Sequence, residues 1–145
     1  MNKISIKLIA PYGLCTILGG IVVFHVLVII GVVPSDIVWG GKLKDTSQML
    51  VFESLSVFIN TVMLAVVASH AGFVKWRIPR KLVRFALWAM FIIFLLNSIG
   101  NLLSENETEK MVFTPLTILL AFFSLILALS GTPKSPSVDP AELVN

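Results

Sequence analysis

Four apolar stretches, each about 20 residues long, are the feature that most constrains the fold of this chain. They cover about residues 8–33, 49–69, 82–103 and 111–130. At 1.5 Å per residue, a helix of about 20 residues crosses the roughly 30 Å hydrocarbon core of a bilayer. No water is available there to satisfy a loose backbone, so helices are required. The sequence therefore predicts an all-α bundle of four transmembrane helices in up-down order.

The composition supports a lipid environment for most of the surface. Hydrophobic residues make up 57% of the 145-residue chain and charged residues only 13%, whereas a soluble domain is about a quarter charged. A chain this short has too little interior to hide the excess. We therefore predict one transmembrane domain, residues 1–130. A disordered cytoplasmic tail is expected at 131–145, where three prolines and several small polar residues occur.

The charges and the single cysteine exclude several classes of protein. The net charge is +3, but the basic residues lie at the ends of the apolar stretches and form no continuous face. This distribution argues against a nucleic-acid-binding protein. Cys15 is alone, so the sequence excludes an intrachain disulfide, a cysteine-based metal site and a dithiol redox centre.

The basic residues predict the orientation. Lys3 and Lys7 precede the first stretch, and a cluster of five follows the second, whereas acidic residues offset the charges of the first and third loops. Lys and Arg favour the cytoplasmic side, so both ends are predicted inside, as in a multi-pass protein of a bacterial inner membrane. Seven residues are predicted to meet the interface or anionic headgroups: Trp39, Lys75, Trp76, Arg77, Arg80, Lys81 and Arg84.

Three segments carry a resemblance to known proteins. They are residues 36–43 (DIVWGGKL), the Phe52-Glu53 pair and residues 97–101 (NSIGN). Together they resemble a set of small four-helix bacterial integral membrane proteins, over the chain from His25 to the fourth helix. The resemblance implies a bacterial membrane protein, and it brings no activity and no site residues.

The polar residues inside the apolar stretches are concentrated in one half of the membrane. At 1.5 Å per residue they lie about 3–16 Å below the outer boundary: His25, Glu53, Ser56, Asn60, Asn97, Asn101 and Thr117. Polar side chains are costly in a membrane, and ionisable ones are functional candidates. The inner half holds few such groups, which favours a pocket open to the outside over a continuous pore.

Helical spacing predicts that these residues converge. Glu53, Ser56 and Asn60 share one helix face through their i, i+3 and i+7 spacing, and Asn97 lies four residues before Asn101 on another helix. If both faces point inward, the seven residues form a ligand-binding pocket. Contact between His25 and Glu53 would give a pair able to change protonation in the physiological range.

Each polar residue also has a structural alternative. The asparagines are able to hydrogen-bond across helices, and His25 to serve as a packing residue. Glu53, about 6 Å below the outer boundary, is shallow enough to reach the headgroups instead.

Three functions remain open from the sequence. The first is binding of a small polar ligand, ion, proton or lipid headgroup in the outer half of the bundle, within a transport or sensing assembly. The second is a structural subunit that packs against a second copy or a membrane partner. The third is a lipid- or quinone-active enzyme with His25 and Glu53 as its acid–base pair. The sequence identifies no cofactor, and one histidine with one carboxylate is too few for a predicted metal site.

Overall fold

The computed structural model describes residues 3–39, 42, 45–76 and 78–130. Within them the fold is helical and contains no strand. The four predicted helices are present, a 3-10 turn lies in the first loop, and a π-helical turn leads directly into the last helix. Their bounds are α1 Lys3–Ile29, the 3-10 turn Ser35–Ile37, α2 Thr46–His70, α3 Arg80–Leu102, the π turn Glu109–Phe113 and α4 Thr114–Ser130. The tail predicted at 131–145 lies outside the described residues.

All four helices have the length and composition of membrane spans. The apolar segments are Leu8–Ile29, Thr46–His70, Arg80–Leu102 and Glu109–Ser130. Many large apolar side chains on these helices are exposed to their surroundings, as expected where lipid covers the surface. The chain is therefore a multi-pass membrane protein.

Glycines end the first two helices. Gly31 has a left-handed φ of +77°, and the next amide, that of Val32, donates to the carbonyl of Leu27 at 2.9 Å. This is the Schellman arrangement, which satisfies the last carbonyls of a helix. Gly72, with φ +76°, follows α2 in the same way. The first apolar stretch was predicted to be helical to residue 33; α1 instead ends at Ile29 because Gly31 reverses the chain there.

The apolar core fills one half of the bundle. Its most buried residues come from the N-terminal parts of α1 and α3 and from the C-terminal part of α2, together with α4; they include Leu14, Leu18, Val67, Leu87 and Leu120. The α1–α2 and α3–α4 interfaces are the largest, and α2 and α3 share a much smaller one. The opposite half of the bundle holds the polar residues that were predicted to bind a ligand.

The first and third loops meet at the polar end of the bundle. The Asn106 side chain donates from Nδ2 to the carbonyl of Asp36 at 3.0 Å. Its Oδ1 accepts from the amides of Thr108 at 2.8 Å and Glu109 at 3.3 Å, as a helix N-cap does. Asn106 thus fixes both the start of the fourth span and the position of the first loop.

Candidate ligand-binding cavity

A cavity of about 570 Å³ lies between the helices at the end where the first and third loops meet. All four helices, the first loop and the π turn contribute to its wall. Six of the seven residues predicted to bind a ligand line it: His25, Ser56, Asn60, Asn97, Asn101 and Thr117. The fold thus brings together side chains that are up to 92 positions apart in the sequence, since Thr117 follows His25 by that many residues.

Glu53 is the seventh, and it lies behind the cavity wall. Its side chain is 0% exposed. One carboxylate oxygen, Oε2, is 2.6 Å from Nδ1 of His25, so the predicted contact between these two residues is present. The other oxygen, Oε1, accepts from the indole N–H of Trp39 at 2.8 Å. The alternative that Glu53 reaches the headgroups is wrong, because all of its surface is covered.

Trp39, in the first loop, is the second hydrogen-bond partner of Glu53. Its φ is +55°, a left-handed value that a bulky residue adopts only when its surroundings impose it. The indole packs against the Phe52 ring with centroids 5.0 Å apart and donates to Glu53. The sequence predicted Trp39 as an interface residue; the structure adds a bond to the buried carboxylate and a place in the cavity wall.

The other polar residues divide into paired and unpaired ones. Asn60 donates to the carbonyl of Ser56 on its own helix at 2.8 Å. Asn101 lies 3.5 Å from Oγ1 of Thr117, and Ser98 lies 2.9 Å from the same oxygen. The contact of Asn101 with Thr117 joins α3 to α4 and matches the structural alternative for Asn101. The Asn97 side chain makes no hydrogen bond with any described residue.

Three polar residues that were not predicted to bind a ligand also line the cavity: Lys42, Ser104 and Glu109. Lys42 is exposed and makes no ion pair within the described part of the chain. Glu109 is only 6% exposed and already interacts with another residue. The cavity is therefore lined by an acidic and a basic residue in addition to the Asn, Ser and Thr residues that were predicted to bind a ligand.

The π turn explains why Glu109 faces inward. The amide and the hydroxyl of Thr114 both donate to the carbonyl of Glu109, five residues back, which is the wider spacing of a π-helix. Pro115 follows, and a proline ring clashes with the carbonyl four residues earlier in an ordinary α-helix. The wider turn relieves this clash. Pro115 is the sequence signal that could have indicated it.

Part of the cavity wall is apolar, and we call this part the aromatic floor. Ile21, Phe24, Phe94, Phe113 and Leu116 line it, and the rings of Phe24 and Phe113 meet edge to face at 5.3 Å. A cavity with a polar rim and an aromatic floor is the usual form of a small-molecule site. Among the described residues no group of three or more His, Cys, Asp or Glu side chains could hold a metal ion.

The predicted interface residues of the second loop lie away from this cavity. Lys75, Trp76, Arg80, Lys81 and Arg84 are all exposed, and none of them lines its wall. The predicted Arg77 lies outside the described residues. The group therefore remains a predicted contact surface for headgroups.

Comparison with known proteins gives one weak similarity. No protein-family model matches the chain, and no solved structure matches it. The P protein of Mus musculus is 29% identical over 110 residues, which cover 74% of this chain and 12% of the mouse protein. The chain thus spans about an eighth of the length of the curated relative it matches, and this similarity does not assign it to a family.

Proposed function

We propose that this protein binds a small polar ligand, ion, proton or lipid headgroup in the cavity, within a transport or sensing assembly. The observation that carries the proposal is the convergence of six polar side chains from four helices on one cavity of about 570 Å³. Polar groups in a membrane cost free energy unless they find partners. Asn97 has none among the described residues, and a bound guest or water supplies it.

The side chains have distinct roles in this proposal. His25 and Glu53 carry the ionisable charge, and the bond from Trp39 holds the carboxylate in place. Asn97 and Asn101 present amide groups, able both to donate and to accept, at the cavity wall. The guest is held by these groups and surrounded by the aromatic floor.

The proposal includes an orientation: an up-down bundle in a bacterial inner membrane, with both ends cytoplasmic and the cavity facing outward. Two contacts support alternating helices. Asn106 bonds to Asp36 at one end, and the rings of Tyr12 and Phe73 meet at 4.9 Å at the other. The basic second loop follows Phe73, and basic loops favour the cytoplasm.

The partner-packing alternative needs polar faces that point away from the bundle. Six of the predicted polar residues line the cavity between the helices, and all of them except Asn97 are at least partly buried, which favours ligand binding. The enzyme alternative needs a reacting group within hydrogen-bond reach of His25 and Glu53; Glu53 has no open surface with which to meet a substrate directly.

The test is thermal unfolding of the detergent-purified chain against a panel of amino acids, organic acids, amines, short-chain quinones and phospholipids. A ligand that binds the native state raises the unfolding temperature by mass action. We expect a shift in the wild type that Asn97→Leu and Ser56→Ala both reduce. Ser54→Ala is the matched control, because Ser54 is exposed and lies outside the cavity wall.

Two outcomes would contradict the proposal that the cavity binds the ligand. If no compound shifts the wild type, or if Ser54→Ala reduces the shift as much as Ser56→Ala, the cavity is not the binding site. A melting temperature that instead follows protein concentration would favour the partner-packing alternative.

A further inference from the structure

We propose that the ligand is an amphiphilic anion. Its acidic group contacts Lys42 and His25 at the rim, and its apolar body lies on the aromatic floor. This inference rests on the proposed function and names the chemical class of its ligand. It follows from a comparison of the charged side chains at the cavity: some already have a partner in the protein, and others have none among the described residues.

The two carboxylates at the cavity, those of Glu53 and Glu109, already interact with other residues of the protein. Glu53 accepts from Trp39 and shares a short hydrogen bond with His25, and it has no exposed surface. Glu109 is 6% exposed and already interacts with another residue. A cationic ligand would have to share a carboxylate that already has a partner. The acidic groups therefore offer little to a cation.

The available charge is positive. Lys42 lines the cavity, and its ammonium group makes no ion pair with any residue in the described ranges. His25 uses Nδ1 for Glu53, and its Nε2 has no partner among the same residues. When Nε2 carries a proton it is a hydrogen-bond donor. The Asn97 amide adds a neutral donor, so three groups on three different elements are suited to an acidic group.

Two residues of the aromatic floor lie on the membrane side of these groups. Ile21 precedes His25 by four residues in α1, and Phe94 precedes Asn97 by three in α3. These separations place Ile21 and Phe94 about 4.5–6 Å further from the first and third loops than His25 and Asn97. An anion with its head at Lys42 thus extends its apolar body inward, as a lipid of the same leaflet does.

The fold leaves room for that body. Helices α2 and α3 both line the cavity, and their mutual interface is much smaller than those of α1 with α2 and α3 with α4. A chain longer than the cavity leaves the bundle between α2 and α3. Fatty-acid-type carboxylates and acidic phospholipids share this chemistry, and the experiment separates them.

Tryptophan quenching measures binding directly at the site. The Trp76→Phe, Trp88→Phe double variant leaves Trp39, which lines the cavity, as the sole tryptophan. In phosphatidylcholine nanodiscs, this chain is titrated with bromine-labelled undecanoate, undecanol and undecyltrimethylammonium. A parallel series replaces part of the lipid with brominated phosphatidylglycerol or brominated phosphatidylcholine. Bromine quenches an indole only at close range.

We expect saturable quenching by undecanoate at about tenfold lower concentration than by undecanol, the size of effect of one charge-assisted hydrogen bond. The quaternary ammonium compound should be weaker still. Lys42→Gln should remove the preference for the carboxylate, and Lys42→Glu should reverse it. Lys110→Gln is the control, because Lys110 pairs with Glu107 and lies outside the cavity wall. Preferential quenching by phosphatidylglycerol would identify a lipid as the source of the anion.

Two results would overturn the inference. If undecanol or the ammonium compound quenches as well as undecanoate, or if Lys42→Gln leaves the preference intact, the cavity binds ligands without selecting anions; the proposed function then stands. If no compound of any charge quenches Trp39 or shifts the thermal unfolding of the wild type, the proposed function itself fails. Thermal unfolding of the wild type with the same compounds replaces quenching if the double variant does not fold.

Discussion

Replacing Glu53 with alanine should destabilise the protein far more than removing a surface carboxylate. The substitution removes the shared acceptor of two donors, the Trp39 indole and the His25 imidazole. A buried donor without a partner costs about 1–3 kcal/mol, so two cost about 2–6 kcal/mol. The His25 side chain is 15% exposed and Trp39 43% exposed, so water reaches both in part. We therefore expect a loss of about 3 kcal/mol in the free energy of unfolding.

The matched control is Glu107→Ala. Glu107 pairs with Lys110 at 3.1 Å, but its side chain is 75% exposed. A solvent-exposed ion pair contributes about 0–1 kcal/mol. Glu53→Gln is the second comparison: its amide oxygen still accepts one hydrogen bond, and its NH₂ group donates to Nδ1 of neutral His25. This variant should lie between the other two.

Equilibrium unfolding with sodium dodecyl sulfate in mixed micelles, followed by circular dichroism, measures these differences. Emission from Trp39 in the Trp76→Phe, Trp88→Phe background reports locally, because loss of the Glu53 acceptor frees the indole. If Glu53→Ala unfolds within about 0.5 kcal/mol of the wild type, as a surface pair would, the buried hydrogen bonds do not hold the first loop. The inference that the bonds of Glu53 to His25 and Trp39 stabilise the protein would then be refuted.

Two further predictions concern packing and the loops. A Cβ atom at Gly13 would overlap the Phe123 ring, whereas one at Gly19 would meet nothing within 4 Å. Gly13→Ala should therefore lower the unfolding free energy by about 1–2 kcal/mol, and Gly19→Ala should leave it unchanged or raise it by up to about 1 kcal/mol; equal effects would contradict the close packing. Asn106→Ala removes an N-cap and the bond to Asp36, so we expect a loss of about 1–2 kcal/mol and faster proteolysis of the first loop. Unchanged cleavage would mean that the two loops are held by other contacts.

The helices were predictable because the bilayer imposes a length on an apolar segment. The four helices follow from this length alone. The end of α1 was less predictable, since Val32 and Val33 continue the apolar pattern after Gly31. Hydropathy does not report the left-handed backbone at that glycine, whereas its φ of +77° determines where the helix stops.

Part of the cavity was also predictable, for a related reason. Residues on helices have depths that follow from position, so His25 and Glu53 could be placed near each other from sequence alone. Lys42 and the Trp39 bond to Glu53 could not, because a loop has no periodicity that fixes where its side chains point. Glu109 was missed because the predicted fourth span began at residue 111 and left Glu109 in the third loop, whereas the helical segment already includes it as the first residue of the π turn.

The π turn also divides the fourth span into two segments with different angular registers. Residues up to Glu109, where the turn begins, follow one phase around the helix axis, and residues after the turn, including Thr117, follow another. Deleting one residue within the turn would restore ordinary α-helical winding and rotate the preceding segment by about 100°. Glu109 would then leave the cavity wall while every contact of α4 below the turn stayed in place. The wall of this cavity is therefore adjustable by a single-residue change in length, independently of the apolar core beneath it.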